Sequence, residues 1–376
     1  LEYRISEALK GNGFDDLERC LAEDDSVHVV SRYDKHVLIN LDTLIQKELD
    51  QKNFTNVALL LRCLLLYNKL DRNSVLRLMR DGVLSKMAKW FKQVIELHTK
   101  DKSSQSAVIV VFGYFFEAIS MFAGFNKEAG NTLVIGSLFY ILCDLVVHPM
   151  VDFFVQLDAI NKINMLLNPA NQLVKKQLSN AEETKQLMKV WGRHLPYAGD
   201  YELQLGLTEA LCRLTKEKVR LELSKQWFAM EFIVTAFKAI KDSDFETDCR
   251  KFLNTVNGIL GEKRSVITFP CIAVYLEDYE LKMPRDDKLE HFWIDFNNVS
   301  HRISFFIADE DEEDLWETIS LPENIIVEYS VEVRSKMQVV MITMLSPVSS
   351  AKKNGNRVTI HFDKSFDILT ALGNVF

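Results

Sequence analysis

The chain has 376 residues, 48% of them apolar and 26% charged, an ordinary soluble globular composition with room for two domains or one long array of repeats. Seven prolines and fourteen glycines are few for this length and exclude long disordered linkers. The net charge of −8 is uneven: residues 265–376 hold 10 Lys/Arg against 19 Asp/Glu, a balance of −9 that leaves +1 for the rest. Bulk electrostatics in the C-terminal part therefore repels nucleic acid and attracts a basic partner.

From residue 37 to about 260 the apolar residues follow the helical period. Val37, Leu41, Leu44, Ile45 and Leu49 mark one face, and similar runs occupy 53–67, 83–98, 105–123, 132–147, 150–167, 182–194, 201–214, 225–240 and 245–260. Helix punctuation separates them at Asp71–Asn73, Asp81–Gly82, Asn168–Pro169, Gly199–Asp200 and Asp242–Asp244. Ten or more helices with short connections predict stacked helix pairs. A weak repeat supports this: Gly82-Val83-Leu84 recurs as Asp158-Ala159-Ile160 and loosely as Glu231-Phe232-Ile233. The anchor spacings, halved, approach the armadillo/HEAT period of roughly 40 residues. Such repeats leave an apolar face that only a neighbour can cover.

Ala107 to Phe125 carries a single charge, Glu117. Its length suits a membrane span, but a central carboxylate is costly there, and a buried inner helix reads the same way. The buried reading is preferred, and no membrane partner is expected.

The period changes near residue 265. Phe292, Ile294 and Phe296 alternate with Trp293, Asp295 and Asn297; Ile303, Phe305 and Ile307 form a second run, and Ile325, Val327, Tyr329, Val331 and Val333 a third. Val339–Leu345 and Val358–Phe362 continue the pattern, which predicts half-buried antiparallel strands. Lys353-Asn354-Gly355-Asn356 signals a turn. A short helix closes the chain, with Ser365 as its expected cap and Phe366, Leu369, Leu372 and Phe376 on one face. About seven strands and a closing helix outline a pleckstrin-homology-like β-barrel. The fold class is thus a multidomain α then β chain. An armadillo/HEAT-like α-solenoid over 1–264 precedes the barrel over 265–376.

The six cysteines, Cys20, Cys63, Cys143, Cys212, Cys249 and Cys271, form no C-x-x-C pair, which suits buried free thiols in a reducing compartment rather than a disulfide frame. The sequons at Asn53 and Asn298 then carry little weight. No signal peptide is visible, and a start at Leu1 reads as a piece of a longer protein.

The sequence carries no recognisable catalytic or cofactor-binding motif. Gly11-Asn12-Gly13 lacks a strand before it and a third glycine, the eight histidines form no metal-ligand pair, and no G-x-S-x-G occurs. Paired acids at Asp24–Asp25 and Asp286–Asp287 sit at apparent turns. No catalytic residue, cofactor, metal or small-molecule substrate is expected.

Two charged clusters are candidate partner-binding sites. Asp309, Glu310, Asp311, Glu312, Glu313 and Asp314 lie between two strands, either as a solvated loop or as a salt-sensitive docking point for a basic peptide such as a histone tail. Arg213, Lys216, Lys218, Arg220 and Lys225 form either a solvated helix face or a contact for DNA or an acidic partner. Without interleaved exposed aromatics, direct nucleic-acid binding is disfavoured. Trp227, Phe228 and Met230 are read as core rather than as exposed hot spots, and Asp200 as the cap of the helix that follows.

A set of segments in order carries a family resemblance: Ala198-Gly199-Asp200-Tyr201, Glu209-Ala210-Leu211-Cys212-Arg213, Gln226-Trp227-Phe228, Phe245-Glu246-Thr247-Asp248-Cys249-Arg250, Phe269-Pro270-Cys271 and Phe292-Trp293-Ile294-Asp295-Phe296-Asn297. They resemble the N-terminal region of the synaptonemal complex protein 2 family. The looser fit of the first 190 residues favours its 2-like branch. The resemblance implies an armadillo-repeat-like domain joined to one like a histone chaperone middle domain, and no enzymatic activity. It also implies a place in the nucleus on meiotic chromosomes, at axes, lateral elements or centromeres, with oocytes as the setting for the 2-like branch. Protein partners there are expected, while oligomerisation belongs to a coiled coil outside this chain. A generic solenoid adaptor and a histone-binding chaperone-like module are the alternatives.

Overall fold

A computed structural model describes residues 2–11, 14–22, 35–70, 72–100, 105–309, 316–350 and 353–376. The chain divides into two compact units, Leu1–Leu187 and Met188–Phe376. The pairs at Gly11–Gly13 and Asp24–Asp25 lie partly or wholly outside the described residues.

The first unit is helical. Its elements are α1 (Glu2–Leu9), α2 (Asp15–Ala22), α3 (Lys35–Asp50), α4 (Phe54–Leu70), α5 (Arg72–Arg80), α6 (Val83–Lys100), α7 (Gln105–Gly124), α8 (Lys127–Val146), α9 (Phe153–Leu167), α10 (Gln172–Asn180) and the start of α11 (Glu182–His194). In α3 the residues that set the period, Val37, Leu41, Leu44, Ile45 and Leu49, are all buried. The helix starts follow local chemistry. Asp152 accepts a hydrogen bond from the Phe154 amide at 2.9 Å and opens α9; Asn171 accepts from Val174 and opens α10. Helices α5 and α10 are short, with few apolar anchors, and escaped the periodicity reading. Of the punctuation expected at Asp71–Asn73, Arg72 and Asn73 belong to α5, and Asp71 lies outside the described residues.

Helix α7 and most of α8 are long and apolar enough to cross a membrane by length and composition. Their apolar side chains are largely used inside the unit. Phe112, Phe115 and Phe116 of α7 meet Phe91 of α6 with ring centroids 4.5–6.2 Å apart, while Glu117 is exposed. The repeat anchors Leu84, Ile160 and Ile233 are all buried but not equivalent: Leu84 and Ile233 lie near the starts of their helices, Ile160 in the middle of α9.

The second unit begins within α11 and continues through α12 (Tyr201–Leu214), α13 (Glu217–Trp227), α14 (Glu231–Lys238) and α15 (Phe245–Leu260). The helix expected over 225–240 is broken, because Phe228 and Met230 are extended. The break turns Trp227 and Phe228 inward against Phe237 and Phe252, with centroids 5.4–6.4 Å apart.

The strands follow: β1 (Val266–Leu276), β2 (Tyr279–Leu281), β3 (Phe292–Asn297), β4 (Arg302–Ala308), β5 (Trp316–Pro322), β6 (Ile326–Val333), β7 (Met337–Ser350) and β8 (Lys353–Asp363), then α16 (Ile368–Val375). All pairings are antiparallel, in the order β5-β4-β3-β1-β8-β7-β6, with β2 on β1. This curled sheet with a C-terminal helix matches the expected class. One face of every long strand feeds a core that includes Ile294, Phe296, Ile303, Phe305, Ile342, Ile360 and Phe362.

Four local expectations need correction. The turn signal at Lys353–Asn356 is strand: Lys353, Asn354 and Gly355 pair with Ser350, Ser349 and Val348. Gly355 is needed there for space, since a Cβ would come within 3.0 Å of Leu276 and Glu277 side-chain atoms. Asp367, not Ser365, caps α16 by accepting from the Thr370 amide, while Ser365 bonds to Asp363. The buried face of α16 is Ile368, Ala371, Leu372 and Val375, with Leu369 in solvent. Finally, β3 is not half-buried. Asp295 and Asn297, expected in solvent, are both fully buried.

Candidate interaction surfaces

The buried polar residues of β3 belong to a lock between the sheet and the helices preceding it, all within the second unit. Gly199, at φ +80°, turns the chain into α12; a Cβ there would lie 2.4 Å from Val299, so only glycine fits. Asp200 then caps α12, accepting from the Glu202 and Leu203 amides at 2.8 and 3.3 Å. The same carboxylate receives Arg302 of β4 through Nε at 2.7 Å and Nη2 at 2.8 Å, and the Ser300 hydroxyl at 2.5 Å. Asn297 of β3 accepts the Tyr201 amide at 2.8 Å, satisfying a donor of the first helical turn that has no partner within the helix.

Arg250 of α15 completes the lock. Its guanidinium donates to both oxygens of Asp295, at 2.7 and 3.0 Å, and stacks on the Tyr201 ring, 3.6 Å from the centroid. Thr268 of β1 donates to Asp295 at 2.7 Å. Burial is the largest single influence on the Arg250 pKa and lowers it, but the charge and hydrogen bonds of Asp295, together with Tyr201 and Cys249, outweigh it and the net shift is upward. For Arg302, burial likewise lowers and Asp200 raises, with a net rise. Both arginines therefore remain charged. Glu202, 3.1 Å from Arg302, is pushed up to about 7, first by burial and then by Asp200 and Asp295, against the pull of Arg302. Asp200, Arg250, Asp295, Asn297 and Arg302 are thus each hydrogen-bonded within the lock, while Glu202 faces Arg302 without a hydrogen bond to its buried Oε1. Among the described residues no cluster of three or more His, Cys, Asp or Glu is placed to hold a metal.

The basic cluster is dispersed by the fold. Arg220 is a correction: it is 0% exposed and offers nothing to a partner. It donates to the Ile240 carbonyl at 2.8 Å and the Cys212 carbonyl at 3.1 Å, and pairs with Asp242, tying the end of α12 to the loop after α14. Arg213 is half-buried and bound to Glu209, and Lys225 pairs with Glu222 at 3.0 Å. Within this cluster, Lys216 and Lys218 are the two that are exposed without a partner among the described residues. Of the acidic run, Asp309 is half-buried at the end of β4, while Glu310, Asp311, Glu312, Glu313 and Asp314 lie outside the described residues.

One surface the sequence reading did not single out is the edge strand β6. Among the described residues it pairs only with β7. Tyr329 is 40% and Val333 55% exposed on one face, Glu328, Ser330 and Glu332 are exposed on the opposite face, and Val327, at a bulge, is 62% exposed. The alternating run was legible, but its edge position was not, because strand order is set by partners distant in sequence.

Comparison with known proteins agrees with this architecture. A family model described as the synaptonemal complex 2 armadillo-repeat-like domain matches residues 1–173, and one described as the synaptonemal complex 2 Spt16M-like domain matches 266–376. Synaptonemal complex protein 2 of Mus musculus is 39% identical over all of this chain, which spans 25% of that protein. Synaptonemal complex protein 2-like of Mus musculus is 34% identical over 99% of the chain, which spans 44% of it. The chain thus covers less than half the length of these relatives, and the identities do not single out the 2-like branch. A solved structure titled synaptonemal complex protein superposes with a TM-score of 0.85 at 36% identity, covering 100% of this chain and 96% of that one. With end-to-end agreement in both sequence and fold, the chain belongs to the synaptonemal complex protein 2 family.

Proposed function

We propose that this chain is a non-catalytic recruitment module of meiotic chromosomes, working in the nucleus at chromosome axes, lateral elements or centromeres. The observation that supports this most is the whole-length similarity to synaptonemal complex proteins. The organisation supports it too: the conspicuous buried charges are spent on holding helices to a sheet, while an acidic domain and an unpaired sheet edge remain available to other proteins. The change of fold at residue 264 separates an armadillo-like part from a pleckstrin-homology-like part. We propose that this joint divides two folds and does not divide two independently stable pieces, since α12 and α15 bond directly to β3 and β4.

The test is affinity capture from germ-cell extracts with the full chain. Chromatin, axis or kinetochore proteins are the expected catch; cytoplasmic cargo alone would favour a generic adaptor and overturn the reading. The description of 266–376 as Spt16M-like, together with the −9 balance of residues 265–376, favours one specific variant in which the β part binds histones. Histone titration at two salt concentrations tests it: binding should weaken steeply as salt rises. No binding at low salt would remove this variant.

A further inference from the structure

We infer that the free edge of β6 is a strand-addition site for an extended protein segment in which apolar and basic residues alternate. The edge is real in the hydrogen-bonding sense. Among the described residues strand β6 pairs along its length with β7 and with nothing else, so every second residue presents its N–H and C=O outward. The opposite edge differs. There β5 is met by the end of β7, where Ser350 donates to Glu317 at 3.4 Å.

The side chains specify what could be added. Tyr329 and Val331 lie opposite Ile342 and Val340, on the core side of the sheet, and Val333 lies opposite Gln338. Tyr329 is 5.4 Å from the Phe376 ring yet remains partly open to solvent, and Val331 packs on the core without being covered. An incoming strand would complete this layer with apolar residues. On the other face stand Glu328, unpartnered among the described residues, and Glu332, whose one partner is the exposed Arg334 at 3.0 Å. Lysine or arginine at the alternate positions of the guest would face these carboxylates.

Natural edges are protected by lysine, proline, bulges or cover. This one has a bulge at Val327, between the Ile326 and Glu328 pairings, but the run from Glu328 to Glu332 has neither proline nor lysine. A second copy of this chain is a poorer guest. Antiparallel self-pairing centred on Ser330 would set Glu328 against Glu332, a like-charge pair. Centring on Val331 instead would set Arg334 opposite Glu328, in exchange for its present pairing with Glu332.

The inference deepens the recruitment reading, on which it rests for taking the guest to be a protein segment. The peptide assay below can fail while capture from extracts still returns chromosomal proteins through another surface. The probe is a labelled peptide of about eight residues alternating valine and lysine, a common strand length, titrated into the full chain by fluorescence anisotropy and mapped by hydrogen exchange. The expected result is slowed exchange at residues 327–333. A peptide of the same composition with its valines grouped should bind about tenfold more weakly, because it cannot present both faces. Replacing both acids, Glu328→Lys and Glu332→Lys, should weaken the valine–lysine peptide about tenfold and favour a valine–glutamate peptide instead. Both positions are exposed, so folding is not at risk. Equal binding of the grouped peptide, or protection that appears away from β6, would overturn the inference in favour of simple charge attraction. Concentration-dependent protection of β6 without peptide would overturn it in favour of self-association.

Discussion

In β3 the residues facing away from the sheet core are Asp295 and Asn297; in β6 they are Glu328, Ser330 and Glu332. Both strands show the same apolar–polar alternation in sequence. Asp295 and Asn297 are sealed under α12 and α15, whereas the β6 residues stand in solvent at an edge. Alternation therefore tells which residues share a face, and not whether another layer covers it. The difference lies in the partners. Asp295 has Arg250 and Asn297 has the Tyr201 amide, 45 and 96 residues away in sequence. Glu328 has no partner among the described residues, and Glu332 has only a neighbour two residues on.

The contrast can be broken from the covered side first. Arg250→Met should cost the second unit about 3–5 kcal/mol in urea unfolding, because Asp295 would be left buried without its ion-pair partner. Adding Asp295→Leu to it should recover much of that loss, since an apolar pair need not be solvated. Asn297→Ala orphans the Tyr201 amide and should cost about 1–3 kcal/mol in the same assay.

A smaller effect concerns pH. The Glu202 carboxyl is pushed up to about 7 in the folded state from an ordinary value of 4.5. Between those values the folded state holds the extra proton, so this group's contribution to stability falls as pH rises from about 4.5 to 7. Glu202→Gln should flatten the unfolding midpoint over that window, and an unchanged pH profile would count against a strained carboxylate there. At the open strand, Glu328→Gln and Glu332→Gln should leave the midpoint where it is, as expected for solvated surface positions.

Much of this fold is legible in the sequence. The long helices, the change of period near residue 265 and the closing helix all appear as periodic apolar runs, because burial imposes that period directly. The short α5 and α10 do not, having too few turns to show it. The candidate sites were harder to read. Arg220 looked like part of a basic face, yet it reaches inward to backbone carbonyls, since a long side chain on a short helix can serve either purpose. The lock was visible only indirectly. The segments that carry the family resemblance, Ala198–Tyr201, Phe245–Arg250 and Phe292–Asn297, supply Asp200, Tyr201, Arg250, Asp295 and Asn297. Their unusual residue choices reflect a buried polar interface, which composition and period cannot anticipate.

The central claim is that helices α12 and α15 form the second layer of this sheet. Hydrogen exchange of the full chain, native against Arg250→Met, tests it most directly. Exchange should quicken together in α15, β3 and β4, with the first unit unchanged. If it quickens in α15 while the amides of Phe292–Asn297 stay fully protected, helix and sheet are not one layered structure and the claim fails.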